Sequence, residues 1–179
     1  MDIYKLRWTQ LQAEIFSFLC MRAGEKFSQR EIAGILKVSP TAVANSLKRL
    51  IEGSFVTLEK TKNIHFIALN RDHGKAIELK RAENLRNVYL SGLSDYLHNM
   101  LAGSTLILFG SYSKGEDTLA SDIDIAVLGR KEKPLQLEEY EKLLHRKINI
   151  QFYSSWKNIH EHLKNNILNG IVLHGGVEL

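Results

Sequence analysis

Four residues in one stretch of the chain have types and a spacing suited to phosphate chemistry. From Phe109 to Leu128 the sequence runs FGSYSKGEDTLASDIDIAVL, preceded by the apolar run Thr105-Leu106-Ile107-Leu108. Gly110 has no Cβ, so the backbone there can approach an anion closely; Ser111 offers a hydroxyl and an amide, and a helix starting at that point adds further amides. Asp122 and Asp124 are two apart in an Asp-Ile-Asp-Ile run. On a strand that alternation puts both acids on one face and Ile123 and Ile125 on the other. Paired carboxylates so placed can share a divalent cation, which bridges phosphate oxygens and neutralises charge during phosphoryl transfer. The plainer reading is a Ser-capped turn followed by aspartates at a strand end, and it leaves the two aligned acids unexplained.

These residues need a scaffold that reads strand, Gly-Ser turn, short helix or loop, second strand. The expected second domain is a four- or five-stranded mixed sheet flanked by helices, giving an α+β chain when joined to the helical module described below. Other candidates for chemistry are weaker. His160 and His162 flank Glu161 on an expected helix, where side chains two apart diverge, so they form a poor metal pair. Tyr4, Trp8, Phe152 and Trp156 read as packing residues and not as a nucleobase platform.

The Gly110-Ser111 pair, ten intervening residues and Asp122-x-Asp124 together resemble the motif of the polymerase-β nucleotidyltransferase superfamily. Within it the match is to the small stand-alone members called minimal nucleotidyltransferases. The likeness spans about residues 102–176 and includes Gly115-Glu116 and the closing Asn169-Gly170-Ile171-Val172-Leu173-His174-Gly175. The resemblance implies transfer of a nucleoside monophosphate from a nucleoside triphosphate, often ATP, to an acceptor hydroxyl, with pyrophosphate leaving. It places Gly110 and Ser111 on the β and γ phosphates and Mg2+ on Asp122 and Asp124. It also implies a third carboxylate from a neighbouring strand. The candidate strand is Lys147-Ile148-Asn149-Ile150-Gln151-Phe152, and Asn149 stands at that catalytic position; an amide oxygen can ligate a hard cation but adds no charge. Lys114 stands in place of the family's arginine in the Gly-Ser loop, which keeps the charge and loses bidentate geometry. Minimal nucleotidyltransferases often resemble antitoxins that modify a HEPN-type protein partner, which points to a protein hydroxyl as acceptor. The competing implication of Asn149 is a transcription regulator that senses a nucleotide without turning it over.

The front of the chain carries a different pattern. Leu11, Ile15, Phe18 and Leu19 recur at helical spacing between Trp8 and Met21, predicting a first helix that ends near Gly24. Ser28-Gln29-Arg30-Glu31 is a capping box that starts a second helix, and Ser39-Pro40 supplies an N-cap and an N1 proline for a third. In the third helix Val43, Leu47 and Leu50 fall on one side, while Thr41, Asn45, Lys48 and Arg49 gather on the other. Thr and Asn can bond base edges and Lys and Arg can neutralise phosphates, as a recognition helix in a major groove requires. Val56 to Leu69 alternates around Lys60-Thr61-Lys62-Asn63, a hairpin with a basic tip. Residues 9–70 thus resemble the winged-helix domains of regulators related to the multiple-antibiotic-resistance repressors, which implies binding to double-stranded DNA. Protein contact through the same fold is the alternative.

The sequence therefore divides into a winged helix-turn-helix over 1–71, connecting helices over 72–101 and a minimal nucleotidyltransferase domain over 102–179. The middle segment has apolar positions at Ile77, Leu79, Leu85, Val88, Leu93, Leu97 and Leu101. That pattern serves equally a dimer interface, giving a homodimer, or a linker packed on both modules. Charge follows the same division: residues 1–90 hold 15 Lys+Arg against 9 Asp+Glu, and residues 91–179 hold 9 against 11. A basic front and a mildly acidic back suit a polyanion binder coupled to a cation holder. No run approaches a membrane span and the start lacks the features of a secretory signal, so the expected location is the cytoplasm. The single cysteine, Cys20, reads as a packing residue.

Overall fold

The computed structural model describes residues 8–61 and 65–177. Tyr4, Lys62 and Asn63, named above, lie outside the described residues. The chain divides into two compact units at Lys80/Arg81.

In the first unit the elements run α1 (Gln10–Met21), β1 (Phe27–Ser28), α2 (Gln29–Leu36), α3 (Pro40–Glu52), β2 (Val56–Lys60) and β3 (His65–Leu69). Each helix begins where a side chain takes up a first-turn amide. Thr9 and Gln12 exchange bonds at the head of α1. Ser28 Oγ accepts from the Glu31 amide at 3.3 Å while the Glu31 carboxylate accepts from the Ser28 amide at 2.6 Å. Ser39 Oγ accepts from the Ala42 amide at 3.2 Å with Pro40 at the first helical position. Gln29 Nε2 donates to the Pro40 carbonyl at 2.6 Å, which ties the start of α2 to the start of α3. Ile15, Leu19, Ile32, Val43, Leu50 and Ile67 fill the core. The strands pair antiparallel in the order β1-β3-β2, with Lys60 opposite His65. This is the expected winged helix-turn-helix, with β1 added; two residues are too few to leave an alternating signal.

The second unit contains α5 (Leu93–Met100), β4 (Thr105–Phe109), α6 (Gly110–Lys114), β5 (Ile123–Leu128), α7 (Glu138–Leu144), β6 (Ile148–Tyr153), α8 (Glu161–Leu168) and β7 (Ile171–His174). Its four strands form the mixed sheet β6-β5-β4-β7, in which β5 and β6 run parallel and the other neighbours antiparallel. One face buries Leu106, Leu108, Ile123, Ile125 and Val127 against Leu93, Leu97 and Leu101 and against Leu144 of α7. The other buries Ile107, Phe109, Ala126 and Leu128 with Ile159 and Ile167. Full burial of each such aliphatic side chain stabilises the fold by about 1.5–3 kcal/mol. Gly170 turns the chain from α8 into β7 so close to the sheet that a Cβ would lie 2.5 Å from the Leu108 carbonyl oxygen. The arrangement is α+β.

Two expectations are corrected here. Leu93, Leu97 and Leu101, read as part of a connecting segment, are core residues of the second unit. The division instead falls inside α4 (Gly74–Leu90), where the buried positions are Ala76, Lys80, Asn84 and Val88 and Leu79 is 41% exposed. That stripe follows i, i+4 spacing, but two of its four members are polar, so apolar periodicity picks the wrong face. Among the described residues no helix is long and apolar enough to cross a membrane.

Candidate active site

The sheet register assembles the site. Phe109 on β4 pairs with Asp124 on β5, and Asp124 pairs with Asn149 on β6, so the three lie in one row across the sheet. Asp124 has the parity of Ala126 and Leu128 and lies on their face, next to the end of β4 where the chain turns into α6. Asn149 Nδ2 donates to Asp124 Oδ1 at 3.0 Å.

Gly110 begins that turn with a φ of +75°, and a Cβ there would meet Asp124 Oδ2 at 2.7 Å. The glycine is therefore required twice, by its backbone conformation and by the carboxylate lying against it. Ser113 Oγ donates to the Gly110 carbonyl at 2.9 Å, and the Glu116 amide donates to the Ser111 carbonyl at 3.0 Å, which closes the turn. No side chain caps the start of α6. Ser111 is half-buried, and Lys114 is exposed in the last turn.

Asp122 is exposed and sits one residue before β5, a correction to its expected place on the strand. A small turn orients its approach: the Thr118 amide donates to Ser121 Oγ at 3.0 Å and the Ser121 amide donates to the Thr118 carbonyl at 3.0 Å. Beside Asp122 a groove of about 490 Å³ opens, lined also by Ser121, Glu138, Glu141, Lys142 and Lys147. Glu141 accepts from the Ile148 amide at 3.0 Å and from Lys147 Nζ at 2.9 Å. Those bonds, the backbone one foremost, hold its carboxyl below the usual range, and the Lys147 ammonium is correspondingly raised.

Sequence reasoning missed a buried polar cluster under this site. Asp117 Oδ2 accepts from Arg146 at 3.2 Å, with the two side chains 0% and 1% exposed. Asn84 Nδ2 donates to Asp117 Oδ1 at 2.7 Å and to the Tyr112 carbonyl at 2.9 Å. Burial, and next the Asp117 charge, push the Tyr112 phenol well above its ordinary range. On sequence alone Asp117 and Arg146 look like solvated loop charges, and no spacing distinguishes them.

Among the described residues no three His, Cys, Asp or Glu side chains cluster to hold a metal ion. Beside Asp124 the neighbouring strand offers the amide of Asn149 and not a third carboxylate. Two carboxylates still fit Mg2+, which is commonly held by one or two carboxylates together with substrate phosphates. A carboxylate oxygen that accepts one amide bond keeps lone pairs for a cation. His160 and His162 are also corrected: His160 is the N-cap of α8 and not a helical residue, so its ring returns to within 5.7 Å of His162. Trp8 packs on Phe16 and Phe55, Trp156 against the second unit's core, and Phe152 on its opposite face, as expected of packing residues. Cys20 is buried.

In the first unit Thr41, Asn45, Lys48 and Arg49 are all exposed on α3, while Val43, Leu47 and Leu50 are buried. Lys60 is exposed at the end of β2.

Residues 93–176 match the family model for polymerase beta, nucleotidyltransferase. Among solved structures the chain is similar to a variant of ZitR from Lactococcus lactis, with 23% identity over 54% of this chain and 64% of that one at a TM-score of 0.41. It is similar to the adhesin competence repressor AdcR from Streptococcus pyogenes, with 15% identity over 55% and 71% at a TM-score of 0.41. It is also similar to the heme sensor protein PefR from Streptococcus agalactiae in complex with heme, with 20% identity over 57% and 64% at a TM-score of 0.36. The chain thus spans 64% of the length of the ZitR chain it matches. No curated protein matches. The second unit contains a nucleotidyltransferase-like domain.

Proposed function

We propose that this chain is a DNA-binding, Mg2+-dependent nucleotidyltransferase. Gly110 and Ser111 would hold the triphosphate, ATP being the nucleotide the resemblance favours, with Lys114 adding positive charge at the end of the turn. Asp122 and Asp124 would hold the ion, which when bound neutralises phosphate charge. An acceptor hydroxyl oxygen bonds to the α-phosphorus while the bond to the bridging oxygen breaks. Pyrophosphate leaves with that electron pair, and the hydroxyl proton passes to water. The acceptor we favour is a hydroxyl on a HEPN-type protein partner, following the likeness to minimal nucleotidyltransferases.

The observation that carries this reading is the row Phe109-Asp124-Asn149, which lays an acid against the glycine of an uncapped turn. A plain strand end gives no reason for a carboxylate to lie against a left-handed glycine. The experiment is calorimetry with Mg2+ and ATP, followed by incubation with α-32P-labelled nucleotides and candidate partners. Uptake lost in Asp122→Ala with Asp124→Ala, together with label transfer by the unaltered chain, supports the enzyme. No uptake, or uptake unchanged by the double substitution, overturns it.

Asn149 favours a second reading, a nucleotide-sensing transcription regulator of weak or no turnover. A neutral amide neither accepts the hydroxyl proton nor offsets a second ion. Uptake without label transfer or pyrophosphate release selects this reading. For the first unit, double-stranded DNA is the proposed ligand, with Thr41 and Asn45 on base edges and Lys48, Arg49, Lys60 and Lys62 on phosphates.

A further inference from the structure

The parallel pairing of β5 with β6 poses a physical question that the strand sequences do not answer. No hairpin turn joins the two strands, so none sets their register, and the crossover from Leu128 to Ile148 runs through α7. A slip of one residue is blocked because it would turn the apolar side chains outward. A slip of two is different. Ile123, Ile125 and Val127 face the same core as Ile148, Ile150 and Phe152, so a two-residue slip keeps apolar beside apolar. It would remove Asn149 from Asp124 and set a different side chain there.

A buried ion pair stands at the mouth of this strand pair. Asp117 lies on the loop that leads into β5, and Arg146 lies at the turn that leads into β6. Just beyond them the Ile123 amide donates to the Lys147 carbonyl at 2.8 Å, the first bond of the parallel ladder. Two opposite charges removed from water and held 3.2 Å apart disfavour any alignment that parts them, and fixing register is the best-attested use of a buried polar pair. Asn84 extends the constraint, since its amide bridges Asp117 to the carbonyl of Tyr112 in α6. One cluster thereby connects the three segments that carry Gly110 and Ser111, Asp122, and Asn149.

We infer that Asp117 and Arg146 are positioning residues whose buried pair locks the β5–β6 register and so holds Asn149 opposite Asp124. The value of that register for nucleotide handling rests on the function proposed above, whereas the lock itself does not.

The test uses the full chain. Asp117→Asn combined with Arg146→Met removes both charges at nearly constant shape, so neither leaves the other buried and unpaired. Amide hydrogen exchange is read at Thr118, Ser121 and Ile123 and compared with Ile107 and Leu108 on β4, and affinity for Mg2+ with ATP is measured alongside. Exchange at the first three should rise at least tenfold while the β4 amides stay unchanged, and affinity should fall at least tenfold. Arg146→Lys, which keeps the cation, should restore most of the protection. A purely structural pair would move all five amides together. Unchanged exchange at Ile123, or an equal rise throughout, overturns the inference. If the unaltered chain takes up no nucleotide but exchange at Ile123 still rises selectively, the nucleotide reading fails and the lock stands. If the double variant does not fold, Arg146→Lys alone decides: a selective rise at Ile123 of lesser size supports the lock, and none overturns it.

Discussion

Restoring a carboxylate at the third position, by Asn149→Asp, should make the second unit less stable without Mg2+ and more responsive to it. In the present geometry Asn149 Nδ2 donates to Asp124 Oδ1 across 3.0 Å. The substitution replaces an attractive contact with two like charges at that separation. Their repulsion is about 1.4 kcal/mol at the dielectric of water and about 5.5 kcal/mol at an effective value of 20. Asn149 is exposed and Asp124 half-buried, so the lower end applies, and side-chain relaxation reduces it further. With the lost amide hydrogen bond, about 0.5–1.5 kcal/mol, a net loss of about 1–2 kcal/mol corresponds to a fall of about 2–8 °C in melting midpoint for a chain of this size. Mg2+ reverses the sign, because the same crowding that destabilises the empty pair favours a divalent cation. Each 1.4 kcal/mol so recovered is about tenfold in affinity. Thermal melts of the two proteins with chelator and with saturating Mg2+ measure both effects. If Asn149→Asp melts with the unaltered protein in chelator and gains no more from Mg2+, the site does not bind metal between β5 and β6. On the enzyme reading, label transfer should rise as well.

Gly110→Ala should destabilise the chain by about 1–3 kcal/mol through its left-handed backbone alone, and it should abolish any Mg2+-dependent rise in melting midpoint by displacing Asp124; a variant that melts and responds like the parent would remove Gly110 from the site. Lys48→Ala with Arg49→Ala should weaken duplex binding and reduce the slope of log affinity against log salt by up to about 1.8, two phosphate contacts' worth. Fluorescence anisotropy across a salt series reads this, and an unchanged slope counts against α3 as the DNA element. The Glu31 carboxyl is held below its ordinary value of 4.5 by the Ser28 backbone bond first and the Ser28 hydroxyl second. A depressed carboxyl contributes stability above its unfolded value and loses it as pH falls through the folded one. Denaturant titrations should therefore show the parent ahead of Glu31→Gln near neutrality, with the gap closing below about pH 4.5; a gap constant with pH would discount the capping charge.

How much of this was legible in the sequence depends on whether the signal was local. The Ser28 and Ser39 caps, the apolar and polar faces of α3 and the alternation of β5 each depend on neighbours within four residues, and the structure realises them as expected, except that Asp122 falls one residue before β5. Asn149 was legible for a different reason, since the alternation of β6 fixes which of its residues share a face and the motif supplies the strand to compare it with. Asp117, Arg146 and Asn84 were not. Asn84 and Asp117 are 33 residues apart, and Asp117 and Arg146 are 29 apart. Polar residues join a core only in combination, so each one alone follows the ordinary preference of its type for solvent. The stripe Ala76-Lys80-Asn84-Val88 shows the same limit on a helix, where the buried face is chosen by its partners and not by its own hydropathy.

The locality of the signal also bears on the choice between enzyme and sensor. On the proposed function, phosphate contact would depend on backbone shape at Gly110, and the first ion on Asp124 of β5 and Asp122 just before it. Neither requires Asn149 to be charged. A charge at that position would assist proton removal from an acceptor hydroxyl and support a second ion, and the residue there comes from another strand, Asn149 on β6, through a register that only long-range packing can set. Phosphate binding and turnover would therefore be separable: a single change at Asn149 would act on the ion and on turnover and leave the Gly110 backbone in place. On the proposed function a regulator and an enzyme would share this frame, and the charge opposite Asp124 would separate the two.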